Sequence, residues 1–164
     1  MAVTYEKIAT FSPTGTTNTV AFTSIPATYT DLRLVIFGKG DYGSFDGKLN
    51  SDTGTNYSYT SLQGNGTAAS SLTSTNMTYL LGATSSLSTH GQPDLITWDF
   101  FSYAGSTNKT VLCTQSFDRN GAGNQSNWVV LWRSTSAINR IDVTLGGGTD
   151  YVGSVLTLYG ILKA

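Results

Sequence analysis

FTSIPATYTDLRLVIF, residues 22–37, reads as the end of one strand, a proline corner and a complete core strand. Leu32, Leu34 and Ile36 fall on one face at period two, and Arg33, Val35 and Phe37 fall on the other. Ile25-Pro26 ends the preceding strand, because proline has no N–H to give to a ladder. Asp31 opens the next strand at a turn. Everything after it reads as further strands stacking on this one.

Outward from that stretch, 164 residues make one domain with one sizeable core. Charged residues are 12%, about half the usual share, and serine, threonine, asparagine and 18 glycines take their place. Hydrophobic residues at 39% are enough to build a core, which excludes a disordered tail. The formal net charge is −1, with no basic stripe, so nucleic acid is not an expected partner. Low charge leaves little repulsion between copies and tolerates close assembly. Cys113 is the only cysteine, so no intrachain disulfide forms, and its apolar setting reads as a small buried residue. MAVTYEKIATF lacks the basic start and apolar run of a secretory signal, and no apolar run approaches membrane-spanning length. The five N-x-S/T sequons are then expected to be by-products of composition.

Met1–Phe11 carries Tyr5, Ile8 and Phe11 before a break at Ser12-Pro13-Thr14-Gly15, and reads as an arm pairing with its own sheet or with a neighbouring subunit. The domain division is a 1–12 arm and a single domain over 13–164. Strands are expected at Thr16–Thr23, Asp31–Lys39, Phe45–Asn50, Tyr57–Gln63, Met77–Leu81, Asp94–Tyr103, Lys109–Phe117, Ser126–Arg133, Ile138–Leu145 and Gly153–Leu162. Inward residues include Val20, Phe22, Ile96, Trp98, Phe100, Trp128, Val130, Trp132, Ile141, Val143 and Leu145. Arg140, Asp142 and Thr144 point outward. The last strand is apolar on both faces, so it is central or covered by a partner. Thr67–Thr75, almost all Ser, Thr and Ala, reads as a loop. About eight to ten strands without a long helix predict an all-β fold, two antiparallel sheets packed as a sandwich or jelly roll.

Little points to catalysis. One histidine, His90, and one cysteine do not make a zinc site. Asp41 and Asp46, or Asp52, lie on glycine turns that would suit calcium, but aspartate also makes turns unaided. Glu6 is the sole glutamate, the other acids lie singly, and no G-x-S-x-G elbow occurs. No catalytic, metal or cofactor residue is assigned. Tyr42, Tyr57, Tyr59 and Tyr151 lie near loops, where they could serve recognition.

Four blocks in order, FTSIPATYTDLRLVI (22–36), LNSDTGTNYSYTSLQGNG (49–66), WRSTSAINRIDV (132–143) and GSVLTLYGILKA (153–164), resemble a family of small virion proteins of tailed bacteriophages, of the marine and cyanophage type. The family pattern is an F-x-x-I-P-x-x-Y-x-D-L corner, an N-x-D-x-G-x-N-Y loop and an L-Y-G-I-K-type end; here Leu162 is inserted before Lys163. The resemblance implies a non-enzymatic jelly roll, made in the host cytoplasm and carried on the virion. It implies a homotrimer on the capsid exterior, a cement or decoration protein whose partners are the major capsid protein or other virion proteins. Tyr5, Ile8 and Phe11 would serve the subunit or capsid interface. The second reading is a tail-tip or baseplate part, with loops around Tyr42, Tyr57 and His90 touching a host glycan. Neither reading involves a nucleic acid, a membrane or a cofactor.

Overall fold

Leu32, Leu34 and Ile36 are completely buried, and their strand sits third in an eight-stranded antiparallel sheet. The computed structural model describes residues 4–15, 19–39, 44–83, 93–145 and 152–162. Over these the chain forms twelve strands: β1 (Tyr5–Phe11), β2 (Thr19–Phe22), β3 (Asp31–Gly38), β4 (Phe45–Leu49), β5 (Tyr57–Gly64), β6 (Ala69–Met77), β7 (Leu80–Ala83), β8 (Asp94–Phe100), β9 (Lys109–Phe117), β10 (Asn124–Trp132), β11 (Ile141–Leu145) and β12 (Val155–Ile161).

The larger sheet has the order β1-β12-β3-β8-β9-β10-β5-β6, and the smaller β2-β11-β4-β7. The pairings β1–β12, β2–β11, β3–β8 and β4–β7 mean that the first four strands pair with four later ones in reverse order. A long antiparallel ribbon of this kind, rolled so that β12 meets β3 and β11 meets β4, is a jelly roll. Two hairpins are added to it. β5–β6 lies between β4 and β7 in the chain, β9–β10 lies between β8 and β11, and both extend the larger sheet.

One register row crosses the inner face of that sheet: Leu158, Leu34, Trp98, Cys113, Trp128, Ser61 and Leu72 stand opposite one another on β12, β3, β8, β9, β10, β5 and β6. The first five are fully buried beneath the smaller sheet, and Leu72 is 53% exposed. The smaller sheet is notched to receive Trp98. A Cβ on Gly82 would fall inside the indole, whose Nε1 donates to the Gly82 carbonyl at 3.3 Å. All three tryptophans are core, as their alternate positions predict.

The proline corner is tied from both sides. Tyr103 Oη accepts from Tyr29 N at 3.3 Å and donates to the Pro26 carbonyl, and Asp31 Oδ1 accepts from Ser102 N at 2.7 Å. The Tyr29 ring lies on Gly160 of β12, where any side chain would enter the ring. The Asn50–Asn56 turn is equally built in. Asn50 and Ser51 take left-handed φ of 52° and 56°. Asp52 accepts from Gly54 N at 2.8 Å, Asn56 Nδ2 at 2.9 Å and Trp132 Nε1 at 2.7 Å.

Several expectations are corrected. Thr67–Thr75 is not a loop: Ala69–Met77 is a nine-residue strand held by its ladder to β5. The Met77–Leu81 strand divides between the end of β6 and the start of β7. The strand expected from Ile138 begins at Ile141. Asp142 does face away from Ile141, Val143 and Leu145, but it is buried, because Arg140 and Ser51 fold over its carboxylate. β12 lies between β1 and β3 in the sheet, with Leu156 and Leu158 inward and Val155 exposed on the outer face, and Tyr5–Phe11 pairs with its own sheet.

Candidate functional site

Among the described residues no sheet covers the outer face of the eight-stranded sheet, and its side chains follow from the same alternation that buries Leu34. Val155, Phe37 and Leu95 stand directly opposite one another on β12, β3 and β8. They are 37%, 47% and 49% exposed, so a contiguous apolar strip three strands wide faces solvent. The next row, Thr157, Val35, Thr97 and Thr114, is short and β-branched. Thr97 and Thr114 share a hydroxyl hydrogen bond of 2.7 Å, and Thr157 shares one of 3.1 Å with Thr10 of β1. In the third row Arg33 holds Asp99 through two hydrogen bonds of 2.5 and 3.0 Å and reaches Tyr5 Oη at 3.2 Å. The Asp99 carboxylate raises the Arg33 guanidinium above its ordinary value. Tyr5 meets Tyr159 edge-on, with ring centroids 6.3 Å apart. Charge on this face is confined to the rows beyond the strip: the Arg33–Asp99 pair, Lys7 in the same row, and Asp31 in the next.

The three residues expected at an interface do not all share a surface: Ile8 and Phe11 line one crevice and Tyr5 lies apart from it. Tyr5 lies on this outer face. Ile8 sits at a bulge in the β1–β12 pairing. Phe11 stands opposite Leu156, on the inner side of β1. Ile8 and Phe11 line a crevice of about 210 Å³ between β1 and β2, with Val20, Phe22, Ile25 and two threonines. Nothing in the sequence spacing alone marks Phe37, Leu95 and Val155 as one surface strip. The signal available was an apolar residue on the outward register of LRLVIF and DLITW.

Of the residues expected to face a ligand, Tyr42 and His90 lie outside the described residues, as does Tyr151. Tyr57 is corrected. It is fully buried, stacked on Trp132 at 6.3 Å and 17°, and its Oη accepts from Leu49 N at 3.0 Å. Burial pushes its phenol well above the ordinary tyrosine value. It follows the turn immediately, yet its register points inward. Tyr59 on the same face is half-buried.

Turns at one end of the sheet enclose a shallow groove of about 510 Å³, lined by Asn65, Phe117, Asp118, Asn124 and Gln125 with four glycines and Ser116. Much of its polar capacity is used locally. Asn65 Oδ1 accepts from Thr67 N, Thr67 Oγ1 and Ala68 N. Asp118 Oδ1 accepts from Gly121 N, and Gln125 Oε1 from Ser116 Oγ at 2.5 Å. The Arg119 guanidinium lies 4.0 Å over the Phe117 ring and covers that face.

Among the described residues no three His, Cys, Asp or Glu side chains gather as a metal site. Asp52 spends its carboxylate on the turn and on Trp132. Burial alone would raise its pKa, but the hydrogen bonds from Trp132, Asn56 and Gly54 outweigh that and hold it low. Asp46 accepts from Ser44 Oγ at 3.0 Å, and burial raises its pKa. Asp41 lies outside the described residues. Cys113 is fully buried, which pushes its thiol far up and leaves it no nucleophile. No helix among the described residues is long and apolar enough to cross a membrane.

No protein-family model and no curated protein matches the sequence. Among solved structures, the chain is similar to the galectin LEC-6 of Caenorhabditis elegans, at 13% identity and a TM-score of 0.39, over 94% of this chain and 96% of that one. Likeness at that level transfers neither ligand nor role to this chain.

Proposed function

We propose that this chain is a non-catalytic structural protein of a tailed-phage virion, a cement or decoration protein seated on the outside of the head. It docks through the outer face of the eight-stranded sheet. The observation that carries this reading is the exposed apolar strip of Phe37, Leu95 and Val155, contiguous across three strands of the outer face. Such a face suits a partner that is itself broad and rigid, because shape and apolar burial hold it without charge pairing. The resemblance of four sequence blocks to small tailed-phage virion proteins is what suggests the particle. The test is co-sedimentation with phage heads stripped of this protein. Wild-type chain should pellet with the heads, and Phe37→Glu should reduce the bound fraction at least tenfold while melting at the wild-type temperature. Equal binding by the variant, or none by the wild type, removes the docking face.

A second reading, a tail-tip part that binds a host glycan, rests on the groove between the β5–β6 and β9–β10 turns. It would use the free amide N–H groups of Asn65, Asn124 and Gln125 rather than Tyr57. Binding on a glycan array that is lost in Asn124→Ala would favour it.

A further inference from the structure

The two edges of the eight-stranded sheet are built differently. β1 carries Glu6 and Lys7 side by side and a bulge between Lys7 and Ala9, devices that keep an edge from pairing with another chain. β6 has neither device along most of its length. Its nine residues, ASSLTSTNM, contain no charge and no proline. Its pairing with β5 is regular from Ala69 to Ser74, and the irregularity comes only near the far end, where Asn76 takes φ 56°. Both faces of β6 are largely exposed, and no described strand pairs with its outer side.

We infer that β6 pairs antiparallel with β6 of a second copy of this chain across a two-fold axis, joining two larger sheets into one. The occupant follows from the strand itself. An isologous contact needs a segment that complements its own reverse, and an uncharged hydroxyl-rich strand does so without opposing like charges. Placing Leu72 opposite Leu72 of the second copy sets Ser71 against Thr73, Ser70 against Ser74 and Ala69 against Thr75. That register uses the regularly paired part of β6 and stops before Asn76. It also completes the inner row that ends on Leu72: the 53% exposed leucine gains an apolar neighbour, and the row continues into the second copy through its Ser61 and Trp128. A net charge of −1 opposes the approach only weakly. A seven-residue ladder is about 23 Å long. That is at the small end of specific interfaces, so the pair forms in the micromolar range and dissociates on dilution.

The test is light scattering coupled to size exclusion on the full chain, from low micromolar to near millimolar concentration. The expected mass rises from 17.4 kDa toward twice that value. Leu72→Lys and Leu72→Asp should each stay monomeric with unchanged melting temperature, since the side chain is already half in solvent. Mixed in equal amounts, they should restore the double mass, because only a two-fold register at Leu72 sets lysine against aspartate. A wild-type chain that stays monomeric throughout, a trimer, or a dimer that survives both single variants overturns the inference. So does a mixture that stays monomeric when the wild type pairs. None of these outcomes bears on attachment to heads, which Phe37→Glu reads separately.

Discussion

Leu34 and Leu72 stand in the same register row of the same sheet, five strands apart, one fully buried and the other 53% exposed. β3 is paired on both edges, with β12 and β8, whereas β6 is paired with β5 alone among the described strands. β3 gains in addition the burial of Leu32, Leu34 and Ile36, worth roughly 1.5–3 kcal/mol for each side chain. β6 has the ladder alone, at a net contribution of about 0.5–1.5 kcal/mol per hydrogen bond. Stability is therefore graded across one continuous sheet. The strands that lie beneath the smaller sheet, β5 among them through Tyr57 and Ser61, are clamped on one face, and β6 is a ledge held by pairing.

The contrast is broken most directly at Trp98. Trp98→Ala empties the notch cut by Gly82 and Gly47, and should cost about 3–5 kcal/mol, read as a fall in the urea midpoint at constant slope. A loss near that of a surface substitution would mean that the smaller sheet does not clamp the larger. Asp52 tests the joint between the two regions, since it sits in the turn leading to β5 and holds Trp132 of β10. Asp52→Ala leaves the Trp132 N–H without its acceptor and should cost about 1–3 kcal/mol. The carboxylate is held below its unfolded value. Between the two values the unfolded chain binds more protons, so stability from this group is present above the unfolded pKa and lost as pH falls through the folded one. Asp52→Asn should flatten that acid limb in urea midpoints taken across the acid range. The smallest effect belongs to the ledge. Leu72→Ala should shift stability by no more than about 0.5 kcal/mol. In dilute protein, β6 amides should exchange with solvent by local opening, far faster than those of β3, which wait for global unfolding. Equal protection in the two strands would erase the distinction.

The same physics decides what could be read in advance. Apolar residues at period two announce a covered strand, and LRLVIF, ITWDF, NWVVLW and IDVTL all placed their inward residues correctly. β6 has no apolar periodicity because nothing covers it, so a strand held only by pairing looked like a low-complexity loop. Asp142 escaped for another reason: its burial depends on Ser51, 91 positions away. The motifs behind the virion resemblance turn out to be fastenings. Pro26, Tyr29 and Asp31 tie the corner, Asp52 and Asn56 tie the turn to Trp132, and Gly160 makes room for Tyr29. The exposed strip was visible only as an excess of apolar residues on the wrong register, which cannot be distinguished from a second buried face until the sheets are counted.

Cys113 stands between Trp98 and Trp128 in the buried row, and no other thiol exists in the chain. A thiol-reactive dye can reach it only after the jelly roll has opened, and then labels one sulfur per molecule. The rate of labelling is thus a clock for whole-domain opening, indifferent to fraying of the ledge. It runs without any engineered probe, in a lysate or on an assembled particle, and compares the free chain with whatever state its surroundings impose.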